Sequence, residues 1–121
     1  MKSLLLSAAL ALTLPTIAAA DPAYFIAQIQ VDDWDQFFEE YGAKTLPTLV
    51  EHNAKILVGG PGATTLEGEW VGNHTVVLEF ESREALEGWY NSAEYQAARP
   101  LRFETTSLNN IIAADAFVMP N

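Results

Sequence analysis

Tyr24-Phe25-Ile26-Ala27-Gln28-Ile29-Gln30-Val31-Asp32-Asp33-Trp34-Asp35-Gln36-Phe37-Phe38-Glu39-Glu40-Tyr41 carries two periodicities in succession. From Tyr24 to Val31 the period is two. Phe25, Ala27, Ile29 and Val31 form one wholly apolar face, and Tyr24, Ile26, Gln28 and Gln30 form a mixed one, so the segment reads as a strand. From Asp32 the period lengthens. Asp32 is placed to cap a helix, with Asp33 and Asp35 favoured in its first turn by the helix dipole. Trp34, Phe37, Phe38 and Tyr41 then fall at i, i+3, i+4 and i+7, a helical stripe. A strand handing over to a helix is the first half of a split β-α-β arrangement.

The pattern continues outward from there. Pro47 predicts a kink or a restart, with Leu46, Leu49 and Val50 carrying the apolar face to about His52. Lys55 to Gly59 reads as a short strand, and Gly59-Gly60-Pro61-Gly62 as a turn. Thr64 to Trp70 reads as a short strand or an extended loop, and Gly72-Asn73 as a turn. Thr75 to Glu81 alternates again, with Val76, Leu78 and Phe80 on one face and Thr75, Val77, Glu79 and Glu81 on the other. Ser82 caps a helix containing Ala85, Leu86, Trp89 and Tyr90. Ser92 caps another that runs to about Ala98, and Pro100 interrupts or kinks it. Asn110 to Val118 completes the set as a strand. The order β-α-β-β-α-β predicts an α+β, ferredoxin-like fold, a four-stranded antiparallel sheet with both helices on one face. The other sheet face keeps Tyr24, Ile26 and Val77. An apolar patch of that kind is uncommon on a soluble monomer, so the simplest arrangement is a homodimer joined through the open faces and enclosing a space.

The 121 residues allow one domain. Half are hydrophobic and 18% are charged, which argues against disorder. Six basic residues face sixteen acidic ones, for a formal charge of -10, which excludes nucleic-acid binding through a broad basic surface. There is no cysteine, hence no disulfide, thiolate metal site or Cys nucleophile. Lys2, the apolar run Leu4 to Leu14 and Ala18-Ala19-Ala20 match a secretory signal peptide at residues 1–20, cut between Ala20 and Asp21. The apolar run is too short for a membrane anchor. The expected product is a single domain at 21–121, periplasmic or secreted, with no membrane partner. Loss of Lys2 makes it still more acidic.

Trp89-Tyr90-Asn91-Ser92-Ala93-Glu94-Tyr95-Gln96-Ala97-Ala98-Arg99-Pro100-Leu101-Arg102 resembles the bacterial family called domain of unknown function 1330. The likeness extends to Val76-Val77-Leu78-Glu79-Phe80 with its Ser-capped helix, to Leu66-Glu67-Gly68-Glu69-Trp70 and to Gly59-Gly60, and covers about Ala23 to Phe117. It implies a dimeric α+β barrel, and no established reaction. The chain differs from the family's usual form in its leader and in carrying His52-Asn53 where many members have Gly-Gly.

Several residues are candidates for chemistry. Glu79 lies on the mixed strand face, across the sheet from Gln28 or Gln30, and a carboxylate buried there would serve as a general base. The alternative is a structural carboxylate paired with Arg or Tyr. Arg99 and Arg102 are three apart and would bind an anion, meet Glu79, or brace the helix end in an ion pair. Tyr41 and Tyr95, with Trp89 and Tyr90, lie on helical stripes that suit either the core or a ligand cavity. His52 and His74 lack the clustered partners of a metal site, so no metal and no cofactor is expected. No nucleophile elbow, P-loop or dinucleotide fingerprint is present. The reading is an exported homodimer that binds a small, partly apolar molecule in a cavity on the open sheet face, through Gln28, Gln30, Tyr41, Tyr95, Arg99 and Arg102. One alternative is a cofactor-independent enzyme of monooxygenase or isomerase type with Glu79 as base. In it Arg99 or Arg102 and a tyrosine would hold the oxyanion. The other is a purely structural dimer.

Overall fold

The computed structural model describes residues 20–121. The expected signal peptide falls almost wholly on 1–19, outside the described residues. Strand β1 (Ala23–Val31) leads through helix α1 (Trp34–Gln36), a π-helical segment (Phe37–Gly42) and helix α2 (Ala43–Glu51) to strand β2 (Lys55–Gly60). Strand β3 (His74–Phe80), helices α3 (Arg83–Tyr90) and α4 (Ala93–Thr105) and strand β4 (Thr106–Asp115) follow. The strands form one four-stranded antiparallel sheet in the order β2-β3-β1-β4. That is the ferredoxin-like arrangement, with the helices on one face.

Alternation in β1 sorts the side chains as the sequence predicts. Ala23, Phe25, Ala27, Ile29 and Val31 are buried under the helices, and the residues between them lie on the open face. Trp89 and Phe80 pack onto this layer. The Trp89 ring meets Phe25 edge-on with centroids 5.4 Å apart and lies 4.1 Å from the Tyr95 ring. The two serine caps form as expected. Ser82 Oγ accepts from Ala85 N, and Ser92 Oγ from Tyr95 N.

The loop before β3 is clamped onto β1. The Asn73 side chain accepts from Val31 N and donates to Val31 O, while Asn73 N donates to Ile29 O. At Gly72 φ is +87°, and a Cβ would stand 2.6 Å from the Ile29 carbonyl oxygen, so only glycine fits this approach.

Several expectations need correction. Asp33, not Asp32, caps the first helix, its Oδ1 accepting from Gln36 N at 3.0 Å. Asp32 instead accepts from the Ser107 hydroxyl. Helix α2 runs unbroken through Pro47, and its inward residues are Thr45, Thr48 and Leu49. Leu46 is half exposed at the edge of the helix layer, and Val50 faces outward, 76% exposed. The cause lies upstream, where Ala43 N–H reaches the Phe38 carbonyl, five residues back. A π turn holds an extra residue, which rotates the following helix by about 100° relative to a plain α-helix. Of the two readings of Thr64 to Trp70, the loop is the one formed. Helix α4 continues past Ala98 and through Pro100 to Thr105, so β4 begins at Thr106 and ends at Asp115.

Candidate functional site

The sequence candidates separate onto the two sides of the sheet. On the open face, antiparallel register sets Lys55, Glu79, Tyr24 and Ala114 side by side across the four strands. The next row on this face is Val58, Val77, Ile26 and Ile112. The one after it brings together Thr75, Gln28 and Asn110. Glu79 therefore lies opposite Tyr24, with the apolar row between it and Gln28. Gln30 pairs farther along with Leu108. The Tyr24 hydroxyl donates to Glu79 Oε2 at 2.9 Å, and Lys55 Nζ stands 3.9 Å from Oε1. Accepting that bond makes Glu79 the main cause of a raised Tyr24 pKa, since a phenolate would lose its acceptor and meet a like charge. A shallow depression at this end of the sheet, about 480 Å³, is lined by Lys55, Glu79, Asn53 and Ser82 among others.

Arg99 and Arg102 are on the helix side and, among the described residues, meet neither Glu79 nor any other carboxylate. Arg102 is buried, its Nη1 donating to Asn109 Oδ1 at 2.6 Å and its guanidinium over the Phe103 and Tyr41 rings. Arg99 lies over Tyr90 and Phe103. Among the described residues the ion pairs are Lys55–Glu79, Arg83–Glu87 and Arg83–Asp115, so the expected bridge at the α4 end is replaced by aromatic faces. Tyr41 and Tyr95 do come together, hydroxyl to hydroxyl at 2.8 Å in the core. Burial, with Tyr95 alongside, pushes the Tyr41 phenol far above its ordinary range. The Tyr41 phenol is therefore not placed to act as an acid or base near neutral pH.

The most apolar pocket lies on the helix side of the sheet, not on the open face. It holds about 280 Å³ between the π-helical segment, α2, β2 and β3. Phe25, Ile29, Phe37, Phe38, Tyr41, Leu46, Leu49, Ile56, Val76, Leu78 and Trp89 wall it, together with Gly42, Gly59, Gly60, Thr45 and His74. Of the six proposed ligand residues only Tyr41 reaches it. His74 is the residue that the sequence reading passed over as a ligand contact. It extends the alternation of Val76, Leu78 and Phe80 back by one step, and that period was the signal for it. It is 7% exposed, with Trp34 and Phe37 each edge-on to its ring at a centroid distance of 5.3 Å. His74 Nδ1 is buried without a hydrogen-bond partner among the described residues.

Burial holds the His74 pKa below its ordinary value, with the Gly60 backbone acting against it. As pH falls through about 6.5 the unfolded chain takes up this proton before the folded one does. Stability is then full above that pH and is lost below it, by at most about 1.4 kcal/mol per pH unit for a single proton. Urea unfolding between pH 7.5 and 5.5 should show a steeper acid loss in the wild type than in His74→Phe. Equal slopes would refute the assignment.

The model of the family termed domain of unknown function (DUF1330) matches residues 22–116. The chain belongs to the DUF1330 family. No curated protein matches it. Among solved structures, this DUF1330 chain is similar to a Rhodopseudomonas palustris protein of unknown function at 15% identity and a TM-score of 0.65. That match covers 82% of this chain and 85% of the other. SnoaB, a cofactor-independent oxygenase of Streptomyces nogalater, aligns at 14% identity and TM-score 0.56 over 83% of this chain and 97% of its own. A dimeric ferredoxin-like protein of unknown function from Bacteroides fragilis aligns at 14% and 0.51 over 78% and 96%. At these identities the likeness shows a common fold.

Proposed function

We propose that this DUF1330 protein is an exported homodimer that binds a small, largely apolar molecule, and that the helix-side pocket is where it binds. The observation that carries the reading is the pocket itself: a recess of about 280 Å³ between helices and sheet, walled almost wholly by aromatic and aliphatic side chains. The leader supports export, since it has the charge, apolar core and small-residue end of a secretory signal. The uncovered row Val58, Val77, Ile26 and Ile112 supports pairing of open faces. The description of a fold neighbour as dimeric agrees with it.

Native mass spectrometry of the protein purified from its own host tests the reading. The expected species is a dimer carrying additional non-protein mass. Gly59 lines the pocket, and a Cβ added there meets only Ile56 Cγ2 at 3.5 Å. Gly59→Leu should therefore fold, fill the pocket and lose the added mass while remaining a dimer. Added mass that persists in Gly59→Leu would move the site elsewhere. A clean wild-type dimer would return the purely structural reading.

A second reading, catalysis without a cofactor with Glu79 as base, is favoured by the Tyr24–Glu79–Lys55 cluster in its polar depression. The description of SnoaB as a cofactor-independent oxygenase gives it a precedent on this fold. Arg99 and Arg102 lie across the sheet from that cluster, so Lys55 would be the group to steady an oxyanion. Loss of turnover in Glu79→Gln with ligand retention unchanged would favour this reading over the first.

A further inference from the structure

The polar depression at the start of β1 is lined by Ala20 and Pro22 together with Glu79, Glu81 and Lys55. β1 pairs with β3 through Tyr24↔Glu79 and Ala23↔Phe80, and one further step in that register sets Pro22 opposite Glu81. Period-two alternation puts Ala20, Pro22 and Tyr24 on one side of the chain, the side that Glu79 and Glu81 share. The charges there do not balance. Glu79 is met by Lys55 Nζ at 3.9 Å and by the Tyr24 hydroxyl at 2.9 Å. Glu81 is exposed and enters none of the ion pairs among the described residues.

The expected cut between Ala20 and Asp21 falls at the wall of this depression. It takes Ala20 away and frees the Asp21 nitrogen as an α-ammonium, about 1.3 Å from where the Ala20 carbonyl carbon stood. Three constraints keep that nitrogen there. Pro22 has a fixed φ. A residue before proline is steered out of the helical region, so Asp21 continues the extended line of β1. The Pro22 carbonyl accepts from Ala116 N at 3.0 Å, which ties the chain down one residue from the new terminus.

We propose that removal of the leader completes the site at this end of the sheet: the α-ammonium of Asp21 seats in the depression and pairs with Glu81, beside the Lys55–Glu79 pair. The exported chain then holds two cations against two carboxylates where the precursor holds one. This rests on the export reading above and goes beyond it, since the cut becomes a step in building the site as well as in releasing the chain.

The intact mass of the protein taken from its own host reads the cut, and is expected to give a chain that begins at Asp21. The α-amine of that mature protein is then titrated through the Asp21 NMR signals. An α-amine ordinarily titrates at about 7.7–8.0. Glu81 and Glu79 favour its charged form and Lys55 opposes it, while the Asp21 carboxylate accompanies it whether the chain is folded or not. The midpoint is expected to lie about 0.5 pH unit above the ordinary range, the shift that one exposed ion pair supports. Glu81→Gln should return it to that range. Glu104→Gln removes the same charge from an exposed site near the other end of β1, where Thr106 pairs with Val31, and should leave the midpoint raised. A terminus elsewhere overturns the export reading as stated and this proposal with it. A chain that begins at Asp21 with an ordinary midpoint, or with one that falls equally in both variants, overturns the seat alone and leaves the export reading standing.

Discussion

Trp89→Ala is expected to remove about 4 kcal/mol of folding stability, the middle of the range for deleting a large buried aromatic. Trp89 is 0% exposed and sits where both halves of the fold meet. Its ring packs against Phe25 from β1, Phe80 from β3 and Tyr95 from α4, and its Nε1 donates to Thr48 in α2. One side chain thus ties together two central strands and helices from both halves of the chain. Alanine would leave a cavity bounded by those groups and would orphan one lone pair of the Thr48 hydroxyl, which keeps its own bond to Thr45 O at 2.6 Å. A domain of this size has about 5–15 kcal/mol to lose, so the variant should be marginal at 37 °C. Urea unfolding should show a large drop in midpoint with an unchanged slope. Trp89→Phe keeps a ring and loses the indole bond, and should cost about 1–2 kcal/mol. A Trp89→Ala loss under about 1 kcal/mol would mean that the core is not organised around this residue.

The strands were legible because period-two alternation depends only on which side chains avoid water. β1 and β3 needed no knowledge of their neighbours to be placed. The serine caps were legible for a similar reason, since a hydroxyl at the N-cap satisfies a local N–H. What escaped was set by longer-range fit. Trp34, Phe37, Phe38 and Tyr41 have α-helical spacing, yet the chain takes a π turn through them, which leaves Phe38 and Leu46 half exposed at the pocket's edge and buries Thr45. Pro100 lies inside α4 and does not end it, and the buried residues Tyr95, Ala98, Arg102 and Thr105 on either side of it keep one face of the helix in the core. Register, too, is absent from a single strand's pattern. Glu79 was on the expected face, but only the pairing of β1 with β3 shows that Tyr24 rather than a glutamine faces it.

Ile112→Glu is expected to dissociate the proposed dimer by at least about 100-fold, a cost near 3 kcal/mol. Ile112 ends the row that begins at Val58 and passes through Val77 and Ile26, the apolar line crossing all four strands on the face without helices. It is 59% exposed in the single chain, so glutamate there should change monomer stability by no more than about 0.5 kcal/mol. In a face-to-face dimer the same position is covered. By two-fold symmetry each substitution then enters the interface twice, and each copy brings a carboxylate into an apolar line with no cation in its row. The chain's formal charge of -10 makes added negative charge at a self-interface worse still. Val50→Glu is the matched control, since Val50 is 76% exposed on α2, on the opposite side of the sheet, and its substitution should leave assembly alone. Light scattering after size exclusion at micromolar concentration reads both. A monomeric Ile112→Glu with wild-type circular dichroism, beside a dimeric Val50→Glu, would place the interface on the open face. An Ile112→Glu that remains dimeric would move it elsewhere, and a wild type that is already monomeric would leave the apolar row without the partner its composition implies.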